Sequence, residues 1–254
     1  MIGNPELTAF RQDYYRLLVS LFWTEPQSDL LMSLSEGIRE RIDASGNLHS
    51  LLAEGWEEID RFLLETPSKD LAEAVADEYT RLFLGPHGPE VNPYESYYFT
   101  GRVLDRPLAE IRSFLKKIGI EKQDGYPEPE DSLAFELEVM RWLIGKQAAA
   151  ADPQEEARFL GLQSDFLREH LLVWGPACGQ DIARTERGKF YRAVAKILQG
   201  FLEIERDFCR QSGLDKITPL DEARQRYGAI PTFRGPIFDA DEGKFEDLHT
   251  KKEK

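Results

Sequence analysis

Apolar residues recur at intervals of three and four along most of this chain, the spacing that places side chains on one face of an α-helix. The first such run contains Leu7, Phe10 and Tyr14 and follows Asn4 and Pro5, a pair typical of a helix start. The same pattern predicts helices at 5–21, 28–44, 48–64, 71–84, 108–118, 129–150, 155–173 and 188–211. Since no stretch alternates as a strand does, we predict an all-α fold, a single compact domain of about eight to ten helices.

Two segments without helical periodicity divide the chain. The first, 85–107, is rich in proline and aromatic residues, and the second, 119–128, is polar and contains Gly125 and Pro127. We predict one helical domain over 1–213, in which 119–128 is a hinge that would separate two helical subdomains in the alternative arrangement. Such a hinge would also permit a domain-swapped homodimer instead of a monomer.

The last part of the chain, 214–254, is charged and loses the apolar periodicity. Because prolines interrupt it repeatedly, we predict an extended tail. Its aromatic residues are expected to hold parts of the tail against the helical body: Tyr227, Phe233 and Phe238.

The helix predicted at 71–84 stops at Gly85 and Pro86 and leads into a loop of unusual composition. Prolines fix the backbone of this loop and remove hydrogen-bond donors. Four large rings follow each other closely: Tyr94, Tyr97, Tyr98 and Phe99. Such a loop either packs on the core as a lid or lines a binding site, and the lid is favoured because aromatic residues mostly serve burial.

The charge of the chain narrows the classes of partner. It carries 46 acidic and 32 basic residues, a net charge of −14. This balance argues against nucleic acid, because phosphate binding needs a basic surface, and it suits a basic protein or peptide. No run approaches the ~20 apolar residues that span a bilayer, and the first residues contain no signal-peptide core. We therefore expect a cytoplasmic protein without stable membrane insertion.

Residues suited to catalysis or metal binding form no known pattern. The sequence has no Gly-rich phosphate loop, HExxH, GxSxG or EF-hand motif, and its four histidines are scattered. Cys178 and Cys209 are expected to be core residues. We predict no metal site and no cofactor, and the residues leave an enzyme open but indicate no reaction. His170 lies near a predicted helix end at Gly175 and Pro176, and a hydrogen-bonded core histidine is the favoured interpretation.

Carboxylates stand at the start of the helix predicted at 129–150. Pro129 fits the first helical turn, and Glu130 and Asp131 would complement the positive end of the helix dipole. In the alternative, these carboxylates face a cleft beside the hinge and bind a guanidinium group in bidentate geometry. The dipole explanation accounts for all three residues and is favoured from the residues alone.

Taken together, these segments resemble the TorD/DmsD family of cytoplasmic chaperones for molybdenum-containing redox enzymes. In that family an aromatic residue precedes a Leu-Phe-x-Gly-Pro helix end. A Pro-aromatic-x-Ser loop, a Glu-Pro-Glu-Asp-His helix start and a His-Leu-x-x-Trp-x-Pro turn then follow. The matching residues here are Tyr79, Leu82, Phe83, Gly85 and Pro86; Pro93, Tyr94, Glu95, Ser96 and Tyr97; Glu128, Pro129, Glu130 and Asp131; and His170, Leu171, Trp174 and Pro176. Ser132 stands where the family commonly has His.

This resemblance implies a protein without enzymatic activity, a chaperone that binds the apo catalytic subunit of a molybdopterin-containing oxidoreductase through its twin-arginine signal peptide. It would assist cofactor insertion and assembly before export. The residues expected to bind the peptide are Tyr79, Leu82, Phe83, Pro93, Tyr94, Glu95, Tyr97, Pro129, Glu130, Asp131 and Ser132. Among them Glu95, Glu130 and Asp131 are expected to meet the arginines. A nucleotide-binding hydrolase and a helical scaffold without signal-peptide preference are the alternatives.

Overall fold

The computed structural model of the chain describes residues 4–85, 88–123, 125–211 and 216–228. Within these ranges the chain forms twelve α-helices and two π-helical turns, without a β-strand. The α-helices are α1 (Pro5–Phe22), α2 (Ser28–Ser35), α3 (Ile38–Gly46), α4 (Ser50–Glu65), α5 (Leu71–Tyr79), α6 (Glu95–Thr100), α7 (Arg106–Ile118), α8 (Leu133–Ala148), α9 (Pro153–Phe166), α10 (Leu172–Ala183), α11 (Lys189–Gln211) and α12 (Leu220–Tyr227). One π-helical turn, Thr80–Leu84, extends α5, and the other, Leu167–Leu171, joins α9 to α10. The prediction of an all-α fold is confirmed.

The longest helix, α11, forms the centre of the core. It packs against α4 and α10, while α1 packs against α8. Phe190, Val194, Ile197 and Phe201 on its apolar stripe are fully buried. Each such side chain stabilises the fold by about 1.5–3 kcal/mol relative to exposure, before the loss of conformational entropy is counted. The stripe seen in the sequence at 188–211 is thus the core-facing side of α11.

Helices from both sides of the segment 119–128 share one hydrophobic core. The carboxylate of Glu78, at the end of α5, accepts hydrogen bonds from the backbone N–H groups of Phe190 (2.9 Å) and Tyr191 (3.1 Å). These donors at the start of α11 have no partner within the helix, so the N-terminal half of the chain caps the central helix of the C-terminal half. The two halves interlock instead of packing as separate bodies.

A buried ion pair joins α1 to α11. The guanidinium of Arg11 binds the carboxylate of Glu205 through Nε (2.6 Å) and Nη2 (2.8 Å), and Tyr15 donates to the same carboxylate at 2.8 Å. The Nη1 atom of Arg11 donates to Gln163 Oε1 at 2.8 Å, which brings in α9. Arg11 also lies over the ring of Phe208, with 3.9 Å between Cζ and the ring centroid. The buried charges are therefore fully partnered.

The helix predicted at 28–44 is divided into α2 and α3. Glu36 has an extended backbone, and Gly37 adopts the left-handed conformation with φ of 65°. Residues other than glycine adopt this conformation only at a cost, so the glycine permits a turn here. Apolar spacing continues across the turn in the sequence, which is why the pattern alone predicted one helix.

The helix predicted at 129–150 begins later, at Leu133. Ser132 is its N-cap, and its side-chain oxygen accepts a hydrogen bond from the backbone N–H of Phe135 at 3.3 Å. Glu130 and Asp131 therefore precede the helix and do not lie in its first turn. The favoured explanation, that these two carboxylates lie at the positive end of the helix dipole in the first turn, was therefore wrong about their position.

Helix α10 continues through Gly175 and Pro176, where the sequence predicted a helix end. Pro176 removes one backbone donor, but the helix lies directly after a π-helical turn and packs along α11. Gly175 allows that close approach, since a Cβ atom there would lie 3.1 Å from Leu202 Cδ1. Packing against α11 outweighs the helix-breaking preference of these two residues.

The tail contains a short helix, α12, where an extended chain was predicted. Acidic residues in its first turn and basic residues in its last complement the helix dipole. The ring of Tyr227 stacks on Phe99 with centroids 5.8 Å apart, as expected of an aromatic strap. Phe233 and Phe238 lie outside the described residues.

None of the helices in the described ranges combines the length and the apolar character needed to cross a bilayer. Cys178 and Cys209 are both buried and free, as predicted.

Candidate functional site

The proline- and aromatic-rich loop and the start of α8 lie side by side. The backbone N–H of Leu133 donates to the carbonyl of Pro93 (2.9 Å), and that of Glu95 donates to the carbonyl of Asp131 (2.8 Å). These bonds flank an isolated antiparallel bridge between the two segments. Two motifs that are far apart in sequence are therefore joined through their backbones.

Five of the predicted peptide-binding residues surround a small cavity: Tyr79, Phe83, Pro93, Tyr94 and Ser132. Trp23, at the end of α1, and Tyr126, from the segment 119–128, also line it. The cavity has a volume of about 30 Å³, roughly that of one water molecule in the liquid. The sequence thus identified residues that converge, but the space between them is closed to a peptide side chain.

Two of the three tyrosines at this cavity, Tyr79 and Tyr94, are held as neutral phenols. Tyr94 donates a hydrogen bond to Glu128 Oε2 at 2.6 Å, and burial together with this carboxylate raises the pKa of Tyr94. Burial, with the charges of Glu128 and Glu25, raises the pKa of Tyr79 to about 12. Both hydroxyl groups therefore remain hydrogen-bond donors at neutral pH.

A larger cavity of about 460 Å³ opens beside the small one, a volume within the usual range of ligand pockets. Aromatic side chains form much of its surface: Trp23, Tyr126, Phe135 and Trp142. Two carboxylates, Glu121 and Glu138, also line it. Glu121 is exposed, whereas Glu138 is half-buried and pairs with Arg141 through two contacts of 2.6 Å. The combination suits an apolar ligand that carries positive charge.

A buried acidic cluster lies behind the loop. The carboxyl group of Glu95 is fully buried and contacts Nδ1 of His170 at 3.0 Å. Glu136, also fully buried, accepts a hydrogen bond from Trp174 Nε1, with 3.1 Å to each carboxylate oxygen. His170 is therefore a hydrogen-bonded core residue, as predicted, and Glu95 faces inwards.

Burial determines the protonation of this cluster. It raises the pKa of Glu95 and of Glu136 well above the usual value, and mutual repulsion of the carboxylates adds to the shift of Glu136. Burial also lowers the pKa of His170, against the attraction of nearby carboxylates that include Glu136. Burial thus disfavours the charged form of each of these groups, and the two fully buried carboxyl groups are out of reach of an external cation.

The other two predicted carboxylates differ in exposure. Asp131 is fully buried, with Oδ2 accepting from the backbone N–H of Ser96 at 3.0 Å, and burial raises its pKa. Glu130 binds Arg112 in bidentate geometry, at 3.0 and 2.9 Å. Burial opposes ionisation of Glu130, but Arg112 outweighs it and the net pKa is lowered. A guanidinium group of this chain thus occupies the bidentate position proposed for a ligand.

Besides the three carboxylates, three more predicted residues lie away from both cavities. Leu82 is fully buried beneath Gly188, and Tyr97 is 38% exposed beside a different cavity, with Asp181 and Arg184. Pro129 is half-buried in the turn before α8, where its carbonyl accepts from the backbone N–H of Ser132 at 3.2 Å. The structure places these residues beneath or beside the aromatic surface, not within it.

None of the residues that line the larger cavity was among the predicted peptide-binding residues, and its aromatic members are Trp23, Tyr126, Phe135 and Trp142. Trp23 and Tyr126 stack with centroids 4.1 Å apart and an interplanar angle of 18°. A signal for Tyr126 was present in the sequence, because it is the one aromatic ring in the polar segment 119–128. Helical periodicity gives no such signal for Trp142, which the pattern places on an ordinary helix face.

Clusters of three or more His, Cys, Asp or Glu side chains able to hold a metal ion are absent from the part of the chain that the structure describes.

Comparison with known proteins identifies the family. Residues 46–180 match the model of the family described as "Nitrate reductase delta subunit". The chain is 31% identical over 216 residues to the chaperone protein TorD of Aliivibrio salmonicida, covering 80% of this chain and 97% of that protein. It is 27% identical over 203 residues to TorD of Vibrio cholerae strain O395, covering 78% and 90% of the two chains.

A crystal structure of a candidate redox enzyme maturation protein from Archaeoglobus fulgidus gives a TM-score of 0.43, with 23% identity, over 76% of this chain and 93% of that chain. The assignment depends on the sequence matches, which extend over most of the relatives' length. The relatives are named chaperones, a non-enzymatic class of protein. The chain belongs to the TorD family of chaperones.

Proposed function

We propose that this chaperone binds, in the cytoplasm, the apo catalytic subunit of a molybdopterin-containing oxidoreductase through its twin-arginine signal peptide. By holding that subunit before export it would assist cofactor insertion and assembly. Family membership supports the general role. The observation that carries the peptide proposal is the aromatic cavity of about 460 Å³ with carboxylates at its edge, on a chain of net charge −14.

The chemistry of the cavity fits the two parts of such a peptide. Its apolar stretch would bury side chains against Trp23, Phe135 and Trp142, and this burial would supply most of the affinity. The arginines would lie near Glu121 and Glu138. Exposed ion pairs contribute only about 0–1 kcal/mol each, so the charges serve mainly for selection and for the rate of association.

Several residues predicted from the sequence belong to the proposed site or support it. Tyr79, Phe83, Pro93 and Tyr94 surround the small cavity that adjoins the larger one. Glu130 is buried, with its side chain 11% exposed, and pairs with Arg112, whose side chain is 55% exposed, so an incoming arginine would have to displace Arg112 to reach this carboxylate. Glu95 and Asp131 would act from within, by holding the loop against α8.

The test is a titration of the full chain with three synthetic peptides: a twin-arginine signal sequence, its Lys-Lys form and a scrambled sequence of the same composition. We expect the twin-arginine peptide to bind most tightly, and the scrambled peptide to bind much more weakly because its apolar stretch is broken. Equal affinity for all three peptides would contradict the proposal and favour the alternative of a helical scaffold without signal-peptide preference. Stabilisation or turnover with a nucleotide, and no peptide binding, would favour the hydrolase.

Matched variants locate the site. Trp142→Ala removes a half-buried ring of the cavity and should weaken binding, whereas Leu64→Ala removes an exposed apolar side chain on α4 and should not. Glu121→Lys should weaken binding and its dependence on salt, whereas Glu57→Lys, at an exposed position of α4, should have little effect. Identical affinities within each pair would place the peptide elsewhere.

A further inference from the structure

The ring of Tyr126 stands between the two cavities. It lines the small cavity of about 30 Å³ on one side and the cavity of about 460 Å³ on the other. It stacks on Trp23 at 4.1 Å and lies 6.1 Å from Phe135, measured between ring centroids. Burial raises its pKa to about 12, so it remains an uncharged phenol. Tyr126 and Trp23, stacked on each other, thus form the boundary that the two cavities share.

Two glycines precede this ring in the segment 119–128. Gly119 (φ 76°) and Gly125 (φ 94°) both have left-handed conformations, and no heavy atom would lie within 4 Å of a Cβ at either position. The glycines are therefore needed for backbone conformation and not for close packing. Near the end of the segment, two bonds hold Glu128: Tyr94 donates to its carboxylate at 2.6 Å, and Lys122 donates to its carbonyl at 3.1 Å.

We propose that the two cavities are one binding groove, and that Tyr126 occupies its middle until a large apolar side chain of a bound peptide displaces it. This inference rests on the proposed function and adds the nature of the ligand side chain and the residue that it replaces. The ligand class is a peptide segment with an aromatic or long aliphatic residue, which inserts between Trp23 and the residues of the small cavity.

The sizes of the cavities support this exchange. The small cavity has room for about one water molecule, yet aromatic and proline rings from several segments of the chain converge on it. A peptide ring that takes the place of Tyr126 would stack on Trp23 in the same way, so one aromatic stack would replace another. A short or charged side chain could not form this stack. The groove would therefore select for large apolar residues.

Occupation by Tyr126 lowers the apparent affinity for the peptide. When the open form is a minor state, populated at about 10% or less, the dissociation constant rises by the reciprocal of that fraction. Tyr126→Ala should remove this cost and tighten peptide binding about tenfold or more. Tyr126→Phe keeps the ring and should bind as the unaltered chain does, since only the hydroxyl group is lost.

A small probe tests the groove without any peptide. p-Cresol has the shape of the tyrosine side chain, so it should bind to Tyr126→Ala saturably and raise its melting temperature, but should leave the unaltered chain unchanged. Leu64→Ala, which removes an exposed side chain elsewhere, serves as the control and should show no effect. Absence of p-cresol binding by a folded Tyr126→Ala variant would overturn the proposal.

A second measurement avoids any loss of packing. With 4-fluorophenylalanine in place of Tyr126, the single ¹⁹F resonance should move to the position of a solvent-exposed ring when the twin-arginine peptide saturates the chain. A resonance that stays unchanged at saturation would overturn the displacement while leaving peptide binding intact. If p-cresol binds Tyr126→Ala but no peptide binds either chain, the groove stands and the proposed function fails.

Discussion

Two buried polar clusters of this protein differ in how their charges are balanced. In the cluster that joins α1 to α11, Arg11 neutralises Glu205 directly, and neither side chain is more than 2% exposed. In the cluster behind the proline- and aromatic-rich loop, Glu95 and Glu136 face one histidine, and burial raises the pKa of both acids. The first cluster pairs opposite charges, whereas in the second burial disfavours the charged form of each acid.

This difference determines how each cluster contributes to the stability of the fold. The ion pair joins α1 to α11 through a buried charge on each helix. Burial raises the pKa of Glu136 and lowers that of His170, so the contribution of these two groups to stability depends on pH. The cluster behind the proline- and aromatic-rich loop is therefore a source of pH-dependent stability.

The largest effect should come from breaking the ion pair. Arg11→Met leaves Glu205 buried without its cation and should lower the free energy of unfolding by about 3–5 kcal/mol. Urea denaturation at pH 7 measures this loss. Arg16→Met, which removes an exposed partner of Asp13, should cost at most a few tenths of a kcal/mol. Equal losses of unfolding free energy in the two variants would show that the buried ion pair stabilises the fold no more than the exposed one.

A second change sharpens the contrast by removing an ionisable group from the other cluster. Glu136 has a raised pKa, so its stabilising contribution is present below about pH 4.5 and is lost as the pH rises towards the folded-state pKa. Glu136→Gln keeps an acceptor for Trp174 and should be more stable than the unaltered chain at pH 8, by roughly 1–3 kcal/mol.

Denaturation at pH 5 and pH 8 checks this sign. The difference between Glu136→Gln and the unaltered chain should grow with pH. Glu138→Gln, at a half-buried position of the same helix, should show no such growth. A difference that stays constant with pH would mean that Glu136 is ionised in the folded protein.

His170 should give the opposite pH dependence. Burial lowers the pKa of His170 in the folded chain. Below about pH 6.5 this histidine is therefore protonated in the unfolded chain but stays neutral in the folded chain until the pH is lower. Stability is then lost as the pH falls, by up to about 1.4 kcal/mol for each pH unit. His170→Asn should reduce the slope of the free energy of unfolding against pH between pH 6.5 and pH 5, whatever its effect on stability at pH 7. A slope equal to that of the unaltered chain would contradict this prediction.

The smallest effect should come from the pair of Glu130 and Arg112, which lies at the surface. Because the Arg112 side chain is 55% exposed, solvent screens the attraction, and Arg112→Gln should cost only about 0–1 kcal/mol. The same denaturation series measures it. A loss as large as that of Arg11→Met would place this pair with the buried cluster.

The sequence was sufficient for the helices whose apolar stripe faces the core, such as α1 and α11. It was not sufficient where packing decides the outcome: α10 continues through Pro176 because it lies along α11, and α12 forms beside α6 in a stretch without periodicity. Motif reasoning found Tyr79, Phe83 and Tyr94, which share a cavity. It could not foresee that Glu95 points inwards, since a motif does not indicate which way a side chain faces.

The interlocked halves have a consequence for experiments that divide the chain. Cutting it within 119–128 would leave one fragment that carries α4 and Glu78 and another that carries α11 and its uncapped start. Each fragment would expose an apolar face that only the other matches. If the two pieces are expressed together as separate chains, we expect them to reassemble without a covalent link. Each piece could then be fused to one half of a split reporter, whose signal in living cells would show whether the chaperone is assembled.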